Sequence, residues 1–290
     1  MRIFDEIIIK THYKARGKLF QNDKSILLYN FFAQMTIFEA SFFGLSIAPT
    51  WYGLMYAMGF FLCYTYIKRY WSIEEKHRDI FLFSVFLGVI LGGRLGYVCF
   101  YNFEYFVDHP TDILAIWQGG MSFHGGALWV ILAMVLFARR YHYRLFDISD
   151  VLVTILPLAL WLGRIGNAIN QELLGYSPYS GPFAVIKNGV SYFPSPLLQA
   201  FLEGIVLLSI MLLYRHYEQK SGRTPWRASA IFLIGYGILR IFAELFRTPD
   251  AHIGYLAGTE WMTLGMIYSI PMILAGVILL PRGWTWEKTT

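Results

Sequence analysis

Charged side chains are scarce in this 290-residue chain. Only 15 % of its residues are Asp, Glu, Lys or Arg, against roughly 25 % in an average soluble domain, while 56 % are hydrophobic. That balance excludes a large water-soluble enzyme. Cysteine is scarcer still: Cys63 and Cys99 are the whole complement, and both fall inside apolar stretches, so neither a disulfide framework nor a metal cluster is implied. No internal repeat, low-complexity tract or soluble domain is evident. The formal net charge of +5 says little until its placement is known, and no nucleic-acid partner is expected.

What the chain has instead is apolar length. Its hydrophobic residues come in blocks of about 17 to 25, enough to cross a hydrocarbon core about 30 Å thick at 1.5 Å of rise per residue. The reading is an all-α, polytopic integral membrane bundle of about seven transmembrane helices, at 51–67, 80–100, 127–137, 151–162, 197–214, 230–246 and 262–280. Aromatic residues at 18 %, including 20 Tyr and 9 Trp, suit two membrane interfaces. The third and fourth spans are short unless the glycine-rich or polar residues beside them continue the helix, which predicts irregular backbone there.

Basic residues gather in alternate connections, and this asymmetry assigns the sides. Lys68, Arg69, Lys76 and Arg78, then Arg139, Arg140 and Arg144, then Arg215, Lys220, Arg223 and Arg227 mark the cytoplasmic loops. Segments between them carry few cations, so the tail with Arg282 and Lys288 is expected inside and the N-terminus outside. The first 24 residues conflict with this, because they hold Arg2, Lys10, Lys14, Arg16, Lys18 and Lys24. The following stretch, 26–43, is either an eighth crossing or a flat interfacial helix, and Asn30, Gln34 and Glu39 favour the second. No compact cleavable signal peptide is expected. The chain then divides into a basic, interfacial segment (1–46), a membrane catalytic domain (47–284) and a short cytoplasmic tail (285–290).

Polar groups in so apolar a chain need partners. Gly88, Gly92 and Gly96 recur every fourth residue and read as a packing seam for a second helix. Arg94 sits among them and must face protein, water or an anion, as a structural anchor or as a substrate contact. In Gly119-Gly120-Met121-Ser122-Phe123-His124-Gly125-Gly126, two glycine pairs allow a bend and His124 offers a base of near-neutral pKa. Gly163-Arg164-Ile165-Gly166-Asn167-Ala168-Ile169-Asn170-Gln171-Glu172 reads either as a polar plug or as an anion site, since a guanidinium fork matches two phosphate oxygens. Tyr236, Arg240 and Glu244 are four apart on one helix face, as a structural bridge or, with Arg164, as one wall of a wet cationic pocket near the outer leaflet.

These motifs, with Trp51-Tyr52-Gly53-Leu54-Met55-Tyr56, Leu91-Gly92-Gly93-Arg94-Leu95-Gly96-Tyr97 and Leu233-Ile234-Gly235-Tyr236-Gly237 before Arg240, Glu244 and Phe246-Arg247, resemble the prolipoprotein diacylglyceryl transferase family. The resemblance runs in order from about residue 42 to 271. It implies a multi-pass enzyme of the bacterial inner (cytoplasmic) membrane. That enzyme would transfer the diacylglyceryl group of phosphatidylglycerol to the lipobox cysteine of a preprolipoprotein, forming a thioether and releasing glycerol phosphate. By likeness Arg164 would bind the lipid phosphate, and Tyr52, His124, Asn167, Glu172, Gly175, Tyr236, Arg240 and Glu244 would fall on functional positions.

A thiol displacing a phosphate ester leaves both acyl esters intact, so no acyl-transfer triad is needed. The departing phosphate needs fixed cations, assigned to Arg164 and Arg240, and the thiol needs a base, assigned to His124, with a relay through Glu244 or the phosphate itself as the alternative acceptors; Tyr236 and Glu244 complete the catalytic set. Arg94 joins Tyr52, Arg164, Asn167, Glu172 and Gly175 as substrate-binding. No cofactor and no metal are called for. Two departures stand out: Phe193-Pro194-Ser195-Pro196-Leu197-Leu198-Gln199 replaces a segment that in the family is richer in polar residues, and Gln171 stands at a family glycine. They leave room for a silent or re-targeted relative that binds anionic phospholipid, and the buried cations alone would also fit a lipid or anion transporter.

Overall fold

In this computed structural model the described residues are 37, 40–42, 45–47, 50–101, 103–115, 120–222, 224–249, 254–256 and 258–281. The basic residues of the first 24, the tail 285–290, Gly119 and Arg223 lie outside them. Strands β1 (Ala40–Phe42) and β2 (Leu45–Ile47) pair antiparallel, so the end of the stretch read as an interfacial helix is extended.

Eight α-helices follow among the described residues: α1 (Trp51–Tyr70), α2 (Glu75–Tyr101), α3 (Phe103–Asp108), α4 (Phe123–Tyr141), α5 (Leu145–Ile169), α6 (Ser195–Ser221), α7 (Arg227–Glu244) and α8 (Leu264–Leu279). A second hairpin, β3 (Val185–Lys187) and β4 (Val190–Tyr192), lies between α5 and α6. Each of the seven apolar blocks falls on a helix. Among the described residues three helical stretches, Glu75–Phe100, Leu145–Ile169 and Ser195–Ser221, are long and apolar enough by length and composition to cross a membrane. Phe61, Phe83, Phe100, Leu136, Leu213 and Leu274 stand exposed on the flanks, an apolar surface suited to hydrocarbon rather than water.

Local signals fix the helix starts. Thr50, Ser122 and Thr263 are N-caps whose side chains accept the Gly53, Gly125 and Met266 backbone N–H groups. Among the described residues the short third and fourth spans are continued as helix rather than as irregular backbone: α4 runs through Gly125 and Gly126, and α5 through Gly163, Arg164 and Asn167. Helix α4 tolerates its glycines because they are a contact surface. A Cβ on Gly96 would strike the Gly125 backbone, one on Gly125 would strike the Gly92 carbonyl, and Ser122 N–H donates to the Gly93 carbonyl at 2.8 Å. The predicted seam therefore joins α2 to α4, while α1 lies along α5 and α7 along α8.

Short connections at 71–74, 142–144 and 222–226 share the basic end of the bundle, where Ile67, Trp71, Phe81, Phe137 and Ile148 form a buried cluster. The opposite end carries the long connections and the polar chemistry.

Candidate active site

Helices α5, α6 and α7 each deliver one charged group to a common point. Glu203 lies in the π-helical turn Ala200–Val206 of α6 and is fully buried. Such turns recur at functional sites, because the widened ladder re-aims a side chain. Arg164 Nε donates to Glu203 Oε2 at 3.0 Å, and Arg240 donates through one terminal nitrogen to Glu203 Oε1, also at 3.0 Å. A single carboxylate thus holds two guanidinium groups from separate helices.

The network continues along α7. The other terminal nitrogen of Arg240 pairs with Glu244, which also accepts from Arg247 at 3.1 Å and from the Thr263 hydroxyl at 2.7 Å. Gly265 lets α8 close on it, since a Cβ there would stand 2.8 Å from the Glu244 carboxyl carbon. Three arginines face two glutamates, all with little or no exposure, so the centre carries one positive charge in excess. Nε of Arg164 is engaged by Glu203, which leaves its two terminal nitrogens outside that bridge.

The remaining expected residues separate into those beside this centre and those apart from it. Tyr236 stacks on Phe232 at 5.8 Å and lies within electrostatic reach of Arg164, Glu203 and Arg240, one turn before Arg240 as its spacing predicts. Tyr52 of α1 packs its ring where a Cβ on Gly166 would stand, and its hydroxyl shares a 3.0 Å hydrogen bond with Tyr56. Asn167, one turn beyond Arg164, donates to Glu172 at 3.0 Å, and Asn170 donates to the same carboxylate at 3.2 Å. Gly175 bridges to Arg247, and a Cβ there would overlap the Phe246 carbonyl, so only glycine fits. Outward of these, Gln171, Glu172, Leu173, Lys187, Asn188 and Tyr192 line most of a cavity of about 510 Å³.

His124 is exposed in the first turn of α4, edge-on to Tyr268 of α8 at 4.9 Å, and the N-terminal turn of α8 is the one that holds Glu244. Arg94 is given a structural task. Its guanidinium donates to the carbonyls of Ile113 at 2.9 Å, Gly120 at 3.2 Å and Asp112, with Phe106 beneath it at 5.1 Å, and so fixes the connection between α2 and α4. Of its two readings, the geometry supports the anchor.

Glu203 is the residue that sequence reasoning missed. The available signal was a lone carboxylate in an otherwise apolar span, which requires a buried cation as partner. Gln171 adopts a left-handed φ of 53°, and Leu173 one of 55°, so the turn after α5 demands the conformation that glycine takes without strain.

A profile of the family described as "Prolipoprotein diacylglyceryl transferase" matches residues 40–282. A relative from Mesorhizobium japonicum named phosphatidylglycerol–prolipoprotein diacylglyceryl transferase is 43 % identical over 245 residues, covering 80 % of this chain and 85 % of its own. Relatives of the same name from Nitrosospira multiformis and Legionella pneumophila are 44 % and 42 % identical, each over 81 % of this chain and over 82 % and 91 % of their own.

Proposed function

The chain belongs to the prolipoprotein diacylglyceryl transferase family, and from that membership we propose that it transfers the diacylglyceryl group of phosphatidylglycerol to the lipobox cysteine of a prolipoprotein. It is a membrane transferase of the bacterial inner membrane, crossing seven times with its N-terminus outside. The alternation of short basic connections with long polar ones supports that topology.

One observation carries the chemistry: Arg164 and Arg240 converge on Glu203, with one positive charge in excess. A phosphodiester brings one negative charge and neutralises the centre. The terminal nitrogens of Arg164 grip the phosphate oxygens as a planar fork, while Arg240, held on both sides by Glu203 and Glu244, supplies a fixed positive field. The thiolate sulfur attacks the glycerol carbon that bears the phosphate. A C–S bond forms, the C–O bond breaks, and its electron pair leaves on glycerol phosphate. His124, at the edge of the bundle beside Tyr268, takes the thiol proton. Tyr52, Asn167, Glu172 and Gly175 shape the outward wall where lipid and peptide meet, Tyr236 braces the guanidinium pair, and Arg94 acts on substrate only through the loop it anchors.

The test is direct. Purified protein is incubated with phosphatidylglycerol and a lipobox peptide, and mass spectrometry looks for a diacylglyceryl thioether on the cysteine. The adduct is expected with the native chain and absent with Arg164→Ala or Arg240→Ala; undiminished product from both variants would end this assignment.

A further inference from the structure

Gln199 is the last residue of the first turn of α6, and it is fully buried with both its amide nitrogen and its carbonyl oxygen lacking a hydrogen-bond partner among the described residues. Buried amides are almost always partnered, because desolvating a donor and an acceptor together without replacement is costly. Its position says where such partners would come from. Glu203 follows four residues later on the same side of the helix, and Ser195 precedes by four, donating its hydroxyl to the Leu173 carbonyl. This first turn also packs against α5 and α7, the helices that carry Arg164 and Arg240. Gln199 therefore sits between the ion centre and the outer turn 170–175, one helical turn outward of the carboxylate that joins the two arginines.

We infer that Gln199 is a specificity-determining residue that reads the hydroxyl groups of the phospholipid's polar head. This rests on the proposed reading of the arginine centre as the phosphate site. A phosphate only accepts hydrogen bonds, so it satisfies the amide N–H but leaves the carbonyl oxygen unmet. A hydroxyl does both, and the glycerol head group carries two of them just beyond the phosphate.

The experiment compares two lipids with one enzyme preparation. Transfer to a lipobox peptide is measured with phosphatidylglycerol and with phosphatidylethanol, which keeps the singly charged phosphodiester and both acyl chains but has no head-group hydroxyl. The native chain is expected to prefer phosphatidylglycerol in kcat/KM by on the order of tenfold, the effect of leaving buried polar groups unpaired. Gln199→Met, nearly equal in volume, is expected to bring that ratio close to one by losing rate on phosphatidylglycerol alone. Because the ratio is internal to each preparation, partial misfolding cancels. A native chain that transfers from both lipids equally overturns the inference, as does a methionine variant with the native ratio. A variant whose peptide KM rises while the lipid ratio stays native also overturns it, placing the amide against the peptide backbone. A native chain that transfers from neither lipid would instead sink the functional reading beneath it.

Discussion

The charge count of the centre makes a double-substitution prediction that separates its architecture from its chemistry. Glu203→Gln leaves Arg164 without its carboxylate and raises the excess to two positive charges in a site where Glu203 has no exposure and Arg164 only 16 %. Removing one partner of a buried pair costs about 3–5 kcal/mol, mostly for the stranded charge. Arg164→Gln relieves the opposite side and takes the centre to neutrality. The double variant returns to one positive charge, with Arg240 still paired to Glu244. Its loss of stability is expected to fall short of the sum of the two single losses by roughly 1–3 kcal/mol. Unfolding in detergent micelles, followed by circular dichroism, measures the cycle. Transfer measured alongside is expected to stay abolished in the double variant, because the proposed phosphate fork is gone even though the fold recovers. Losses that add within about 0.5 kcal/mol would refute the shared network.

Gln171→Gly is expected to raise stability by about 1 kcal/mol in the same assay, by releasing the left-handed strain at φ 53°. Gly125→Val should separate α2 from α4, since its Cβ meets the Gly92 carbonyl; an unfolding midpoint within error of native would count against the seam. Asp150 of α5 accepts from Trp226 N–H at 3.1 Å, Ser229 N–H at 2.9 Å and the Ser229 hydroxyl at 2.6 Å, capping α7 from another helix. Asp150→Ala is expected to cost about 1–3 kcal/mol in micelle unfolding while leaving the peptide KM unchanged. Arg94→Lys keeps the charge but not the three-carbonyl fork, so faster limited proteolysis of the 103–115 connection is expected.

Periodicity made the helices and one side of the site legible. Four-residue spacing alone puts Tyr236, Arg240 and Glu244 on one face, and it puts Gly92 and Gly96 against a neighbour. The neighbours themselves were not legible. Nothing local to Glu203 says that its partners are Arg164, thirty-nine residues earlier, and Arg240, thirty-seven later. Arg94 carried the same signal as Arg164, an arginine among glycines beside an apolar span. Only the tertiary path of 103–120 decides that one meets backbone carbonyls and the other a carboxylate. The helical course of α4 and α5 through Gly125, Gly126 and Asn167 was also hidden. Propensities from water undervalue glycine in a helix whose backbone is shielded by a second helix. The strained turn at Gln171 was half legible: the family glycine marked the position, and the structure supplied the reason.

Two buried glutamates in the proposed phosphate site look counterproductive until the whole cycle is considered. Three uncompensated guanidinium groups would repel one another by roughly 4 kcal/mol per pair at 4 Å and an effective dielectric of about 20, so the empty centre would not hold its shape in an apolar bundle. Glu203 and Glu244 cancel two of the three charges and fix the guanidinium planes before substrate arrives, which is the preorganisation that transition-state stabilisation requires. They also limit retention. The leaving glycerol phosphate departs as a dianion, one charge more negative than the diester that entered, and a centre at +3 would hold it most tightly at the moment it must depart. A centre at +1 matches the diester, is strained to advantage by the extra charge developing on the leaving oxygen, and does not trap the product. On this account a Glu244→Gln variant should bind glycerol phosphate more tightly than the native chain. Stronger competitive inhibition by added glycerol phosphate measures it, and weaker or equal inhibition would show that the glutamates serve packing alone.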